Sequence, residues 1–235
     1  ENLVKKVRET SFKNIYRRAK YIVLKLSSED KIALHLRMTG RLLLLESQSA
    51  PTERARISWN LSSEVLIMDD LRRLGTLHLL APTEEGPLAN LGIDPLSEQF
   101  TPEALEELLQ SRQEIKRLLL DQSKIAGVGN IYASEILFRS GIWPWKRATD
   151  LDEGEIEKLF HSIRSVLEHA LEKGGTTIDS FRTTEGDEGL FQEALQVYGK
   201  EGEKCVRCDR PVEKENQGGR STFFCPCCQD PTGLS

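Results

Sequence analysis

Cys205-Val206-Arg207-Cys208 and, sixteen residues later, Cys225-Pro226-Cys227-Cys228 form the stretch that decides how this chain ends. Two Cys-x-x-Cys knuckles at this separation place four thiolates around one Zn²⁺, with a hairpin between them. Soft sulfur ligands select Zn²⁺ over hard cations. Four reduced cysteines that merely cluster, or two disulfides, are the competing readings. The spacing favours the metal, because it takes in four of the chain's five cysteines. The expected ligands of one structural Zn²⁺ are Cys205, Cys208, Cys225 and Cys228, with Cys227 a bystander. Zinc thiolates imply a reducing compartment.

The chain has 235 residues, enough for one large domain or two smaller ones. Its apolar runs, such as Leu42–Leu45, are far too short to span a membrane. Net charge is −5, which argues mildly against nucleic acid, but position matters more than the sum. Basic residues gather at Arg17, Arg18 and Lys20, at Arg37 and Arg41, at Arg54 and Arg56, and at Arg72 and Arg73. Folding could bring these arginines to one face.

Working back from the cysteines, residues 1–82 read as β. Strands are expected at Tyr21–Leu26, Ile32–Leu36, Arg41–Leu45, Ile57–Trp59, Val65–Met68 and Thr76–Leu80, with turn residues between them. Short strands at this spacing predict an antiparallel sandwich or barrel. Residues 83–100 read as a linker rich in Pro, Gly and Glu. A helical domain follows over 101–190. Thr101-Pro102-Glu103 caps a helix to about Gln110, Ile115–Leu120 continues as helix, and Gly127-Val128-Gly129-Asn130 breaks the pattern before Ile131–Ser140 resumes it. Asp152-Glu153-Gly154-Glu155 is a capping box opening a long helix that Gly174-Gly175 ends. Thr183–Gly189 reads as a mobile polar loop. The zinc hairpin occupies 191–235. The fold class is α+β.

Gly127-Val128-Gly129-Asn130-Ile131-Tyr132-Ala133-Ser134-Glu135 resembles the helix-two-turn-helix signature of the formamidopyrimidine/endonuclease VIII-type DNA glycosylases. Gln196-Val197-Tyr198-Gly199 and Gly219-Arg220-Ser221-Thr222-Phe223-Phe224-Cys225 resemble that family's approach to its zinc finger and the finger's hairpin. Arg17–Tyr21, His35–Gly40 and Leu91–Leu96 fit the same family upstream and in order. The resemblance covers nearly the whole chain and lies closer to the formamidopyrimidine branch. It implies base-excision repair of double-stranded DNA: release of oxidised purines, then cleavage of the abasic site by elimination. It also implies a monomer in a bacterial-type cytoplasm, associated with the nucleoid. The runner-up is a damaged-DNA binder without catalysis.

The resemblance assigns roles residue by residue. Lys20 matches a lysine near the lesion phosphate that moves protons in β-elimination. Arg220 matches the hairpin arginine that grips phosphate and assists δ-elimination. Met38 and Arg72 match the side chains that fill the hole left by a flipped-out base, an apolar wedge beside a cation. Arg56 and Arg73 fall where the family makes further DNA contacts. Asn130 is expected on a phosphate held at the start of its helix, where Gly127 and Gly129 let the backbone come close. The chain also departs from the pattern. Asp70-Leu71-Arg72-Arg73-Leu74-Gly75 replaces the family's Asp-Pro-Arg-Arg-Phe-Gly, and Arg37 stands for a glycine. The family attacks the sugar with an N-terminal proline followed by glutamate, whereas this sequence opens Glu1-Asn2-Leu3-Val4. The expectation is an incomplete β-sandwich without its opening segment, inactive or weak as a catalyst.

Overall fold

The computed structural model describes residues 2–46, 52–176, 184 and 189–230. Of the polar stretch Thr183–Gly189, only Thr184 and Gly189 are among them. The chain divides into two compact units, Glu1–Ala89 with Lys173–Gln192, and Asn90–Glu172 with Glu193–Ser235.

The first unit opens with helix α1 (Asn2–Val7) and carries strands β1 (Phe12–Arg18), β2 (Tyr21–Leu26), β3 (Lys31–His35), β4 (Gly40–Glu46), β5 (Ala55–Asn60), β6 (Glu64–Asp70) and β7 (Thr76–Leu80). They form two antiparallel sheets, ordered β1-β2-β3-β7 and β4-β6-β5. Leu24, Ile32 and Leu34 of the first sheet share one core with Leu42, Leu66 and Met68 of the second. Full burial of such side chains stabilises by about 1.5–3 kcal/mol each, which holds the sheets face to face. Strand β1 and helix α1 escape the reading of the sequence. Five of the seven residues of β1 are exposed, so the strand carries no alternation of apolar and polar positions to recognise.

Register sets the geometry of one end of this unit. Tyr21 pairs with His35, and His35 with Thr76. The β1–β2 turn, the β3–β4 turn and the β6–β7 loop therefore emerge together.

The second unit holds α2 (Pro102–Leu109), α3 (Ile115–Leu120), α4 (Asn130–Ser140) and α5 (Glu153–Glu172), then the hairpin β8 (Glu213–Gln217) and β9 (Arg220–Phe224). The expected caps form. The Thr101 hydroxyl accepts the Ala104 N–H at 3.2 Å. The Glu155 N–H donates to Asp152 Oδ1 at 2.8 Å, and the Asp152 N–H to Glu155 Oε2 at 3.0 Å, a reciprocal box. Leu159, Ile163, Val166 and Ala170 give α5 its buried stripe. Gly218 and Gly219 join β8 to β9 with φ of 59° and 80°. Two positive φ values make a two-residue turn that matches the strand twist and favours glycine at both positions.

Candidate metal centre and nucleic-acid interface

Sγ atoms of Cys205, Cys208, Cys225 and Cys228 lie within 4.8 Å of one another. Cys205 and Cys228 stand 3.8 Å apart, and Cys208 and Cys225 3.4 Å. Four ligands at about 2.3 Å from a tetrahedral zinc would be spaced about 3.8 Å apart, so the cluster fits the ion. Burial pushes the Cys225 and Cys228 thiols up, whereas a hydrogen bond from the Arg210 backbone brings Cys208 down to about 7. Four thiolates at this spacing require a cation among them. The zinc is structural: it would lock two knuckles that are otherwise tied only by short turns. Cys227 is exposed and outside the cluster.

Four side chains seat this finger on the helical part of its own unit. The Arg207 guanidinium donates to the carbonyls of Phe138 and Arg139 at 2.9 and 3.1 Å and lies over the Phe138 ring at 4.4 Å. It thereby satisfies carbonyls at the C-terminal end of α4. The Gln229 amide donates to Ile142 O while its oxygen accepts from Cys225 N–H. Lys116, only 1% exposed, donates to Ser221 O at 2.9 Å and to Thr222 Oγ1 at 2.7 Å. The Asn130 amide donates to the same Ser221 carbonyl at 2.9 Å. Asn130 and Arg220 are thus brought together: the residue before β9's Ser221 is the exposed Arg220, and Ser221 itself is held from both α3 and α4. The Gly127 amide is occupied by Gln122 Oε1 at 3.0 Å, so it serves the turn between the helices. Glu135, the last residue of the signature, accepts the backbone N–H groups of Gln196, Val197 and Tyr198 at 2.8–3.0 Å and anchors the approach to the finger.

Burial, then the nearby Arg220 charge, lower the Lys116 pKa to about 8. Between that value and the ordinary 10.5 the unfolded chain binds more protons than the folded one, so stability rises with pH there. We expect wild-type protein to gain on the order of 2 kcal/mol between pH 7.5 and 10.5 from this residue. The gain should be missing from Lys116→Met in paired denaturant titrations. Equal pH dependence in both proteins would show that Lys116 is not desolvated.

In the first unit, one carboxylate organises the end where the three connections emerge. Asp70 is 1% exposed. It accepts from Thr39 Oγ1 at 2.5 Å and from the Gly75 N–H at 2.7 Å. The Arg72 N–H in turn donates to the Thr39 hydroxyl at 3.0 Å. This clasp ties the turn that carries Met38 to the loop that carries Arg72 and Arg73. Arg56 donates from Nε to the Asp70 backbone carbonyl at 2.9 Å. A Cβ at Gly75 would meet the tip of Met68 and crowd Asp70 Oδ2, so a larger residue there requires the Met68 side chain to shift. A cavity of about 430 Å³ opens between Arg56, Asp70, Arg73 and Gly75. Met38 is 68% exposed, with Leu71 and Leu74 at 56% and 42%. Three apolar side chains therefore project beside three arginines, Arg37, Arg72 and Arg73. Lys20 sits in the β1–β2 turn, exposed. His35 reports the local field. Burial first, then the charges of Arg37 and Lys20, lower it to about 4, so it is neutral at pH 7.

Asp70, Lys116, Glu135 and Arg207 are the supporting residues that sequence reading passed over. Asp70 carries a signal, as the first residue of the Asp-Leu-Arg-Arg-Leu-Gly run. Lys116 carries none, since a helical lysine ordinarily reads as solvated.

Fold and site together are those of a DNA glycosylase with a zinc finger. The formamidopyrimidine-DNA glycosylase N-terminal domain matches residues 1–77, the helix-two-turn-helix domain of the same enzymes residues 91–182, and the zinc finger found in FPG and IleRS residues 202–231. The first match begins at residue 1, and it lends no support to the expectation of a missing opening segment. The formamidopyrimidine-DNA glycosylase of Carboxydothermus hydrogenoformans is 41% identical over 214 residues, 91% of this chain and 79% of that relative. That of Pelotomaculum thermopropionicum is 43% identical over 219 residues, with the same coverage. A complex of the Lactococcus lactis enzyme with DNA containing an abasic site superposes with a TM-score of 0.91 at 34% identity, covering 97% of this chain and 86% of that one. The Thermus thermophilus enzyme gives 0.87 at 38%, covering 94% and 83%. This chain belongs to the formamidopyrimidine-DNA glycosylase family, whose enzymes act in base-excision repair.

Proposed function

We propose that this chain binds double-stranded DNA carrying oxidised or abasic nucleotides, releases oxidised purines and cleaves the abasic strand by elimination. The observation that carries the reading is the Thr39–Asp70–Arg72 clasp, which sets an exposed methionine beside an arginine pair. An apolar wedge next to a cation suits the gap left by an extruded base, one replacing stacking and the other bonding the orphaned partner. Arg56 and Arg73 serve as further DNA contacts, and Lys20 as the proton-transfer group at the lesion phosphate. Asn130 and Arg220 offer a phosphate grip whose position Ser221 sets. Related structures support the reading: the Lactococcus lactis enzyme holds abasic-site DNA in one and Fapy-dG DNA in another. Among the described residues no helix is long and apolar enough to cross a membrane. We place the protein, as a monomer, in the cytoplasm at the nucleoid.

The test uses duplexes with a single abasic site, a single 8-oxoguanine, or neither. Borohydride trapping of a covalent adduct on the abasic duplex is expected of the enzyme. Selective binding without trapping would favour the non-catalytic reading, and equal weak binding to all three duplexes would sink both. Arg220→Ala should weaken binding and lower the slope of log K against log salt by about 0.9, the share of one phosphate contact. An unchanged slope would remove Arg220 from the interface.

A further inference from the structure

Three arginines with no described partner surround a recess that none of these roles uses. Arg112, Arg117 and Arg147 line a cavity of about 530 Å³, with Trp145 as its apolar wall. The backbone explains why they meet. Residues 113–116 are zipped to 144–148: Ile115 N–H donates to Lys146 O at 2.8 Å and Ala148 N–H to Gln113 O at 2.9 Å, with a bridge between Glu114 and Arg147. Trp145 is fixed by edge-on packing against Phe224, ring centroids 5.1 Å apart. All three arginines are exposed, and among the described residues none has an ion-pair partner. The one carboxylate lining the recess, Glu114, is engaged by the Gln217 amide at 3.0 Å. A chain of net charge −5 thus gathers three guanidiniums around a single lining carboxylate, which leaves the recess net positive. Arg117 also lines a neighbouring recess of about 200 Å³ with Gly218 and Arg220 at the hairpin tip. Asp121 also borders that recess, and Arg117 links the three-arginine recess to Arg220 at the proposed phosphate grip.

We propose that this recess is a second phosphate-binding subsite, which takes the DNA backbone beyond the nucleotide gripped at Arg220. The inference rests on the reading of the chain as a duplex-DNA binder. A guanidinium presents a rigid fork of donors that matches phosphate oxygens, and it carries no information about base sequence. The subsite adds affinity and register along the flanking duplex, independent of the lesion.

The experiment compares wild-type protein with the triple variant Arg112→Ala/Arg117→Ala/Arg147→Ala on a long duplex with a central abasic site. Three phosphate contacts should lower the salt slope by about 2.7, so the loss of affinity between 50 and 200 mM salt should shrink by about 40-fold. Duplexes trimmed on one side of the lesion or the other give the second readout. Trimming one side should erase the difference between the two proteins, and trimming the other should leave it. Zinc content and melting temperature should not change, since the three side chains are exposed. Should the triple variant lose zinc, the three single variants decide, each expected to lower the slope by about 0.9. Wild-type and variant slopes that agree within half a unit, with Arg220→Ala still effective, would overturn the subsite and leave the proposed function standing. Failure of wild-type protein to bind any duplex would instead overturn the function itself.

Discussion

Cys225→Ser protein is expected to purify with close to no zinc, whereas Cys227→Ser protein keeps one ion per chain. Cys225 is fully buried between its partners, and its Sγ lies 3.4 Å from that of Cys208. Loss of one thiolate from a four-sulfur site opens the coordination sphere and removes most of a binding free energy of about 10–16 kcal/mol, the range for small zinc fingers. The consequence should reach the hairpin. Cys225 directly follows Phe224, the last residue of β9, so a finger without metal loses the frame that aims Arg220. Duplex-DNA affinity should fall at least as far as in Arg220→Ala. The helices should persist, because α4 and α5 bury their own apolar faces. Metal analysis of the two purified variants under reducing conditions is the measurement. Full zinc occupancy in Cys225→Ser would show that another group, Cys227 first among them, completes the site.

What could be read from the chain, and what could not, follows from the range of the interactions involved. The knuckles, the capping box at Asp152 and the strands around the sandwich core are local patterns, and each is visible in the sequence. Strand β1 is not, because it forms by backbone pairing with β2 while burying little of its own surface. Site candidates came from residue type and resemblance, and the structure gathers them into two sets, one around Asp70 and one around Ser221. The groups that hold those sets were hidden for a physical reason. Lys116 reaches Ser221 across 105 positions, Glu135 reaches Gln196 across 61, and Thr39 reaches Asp70 across 31. Their partners are mostly backbone atoms or hydroxyls, which leave no complementary charge in the sequence to suggest the pair. The recess of Arg112, Arg117 and Arg147 is similar. It depends on the pairing of residues 113–116 with 144–148, and no spacing announces that.

Asp70→Ala should destabilise the first unit by about 3–4 kcal/mol and abolish preference for abasic over intact duplex. The carboxylate is buried, and its removal strands the Thr39 hydroxyl and the Gly75 N–H without an acceptor. Bonds to a charged acceptor contribute roughly 1.5–3 kcal/mol each, and the two stranded donors are only part-buried, so they add little beyond the lost bonds. The pH dependence supplies a separate signature. Burial works to raise the Asp70 pKa, but bonds from Thr39, Gly75, Arg72 and Leu74 together outweigh it and hold the carboxyl below its ordinary value. The unfolded chain therefore takes up this proton at a higher pH than the folded chain. The contribution of Asp70 to stability is complete above the unfolded value of about 3.9 and is lost as pH falls through the lower folded one. Acid unfolding should accordingly be steeper in wild type than in Asp70→Ala. Asp70→Asn keeps the shape and one acceptor oxygen, so it should fall between the two. The exposed arginines stay in place in both variants, and the salt slope of DNA binding should change by less than one unit. That separation is the point of the test: the clasp sets where Met38 and Arg72 stand, not how much positive charge the surface carries. Wild-type stability together with wild-type lesion preference in Asp70→Ala would show that the wedge is held by something other than this carboxylate.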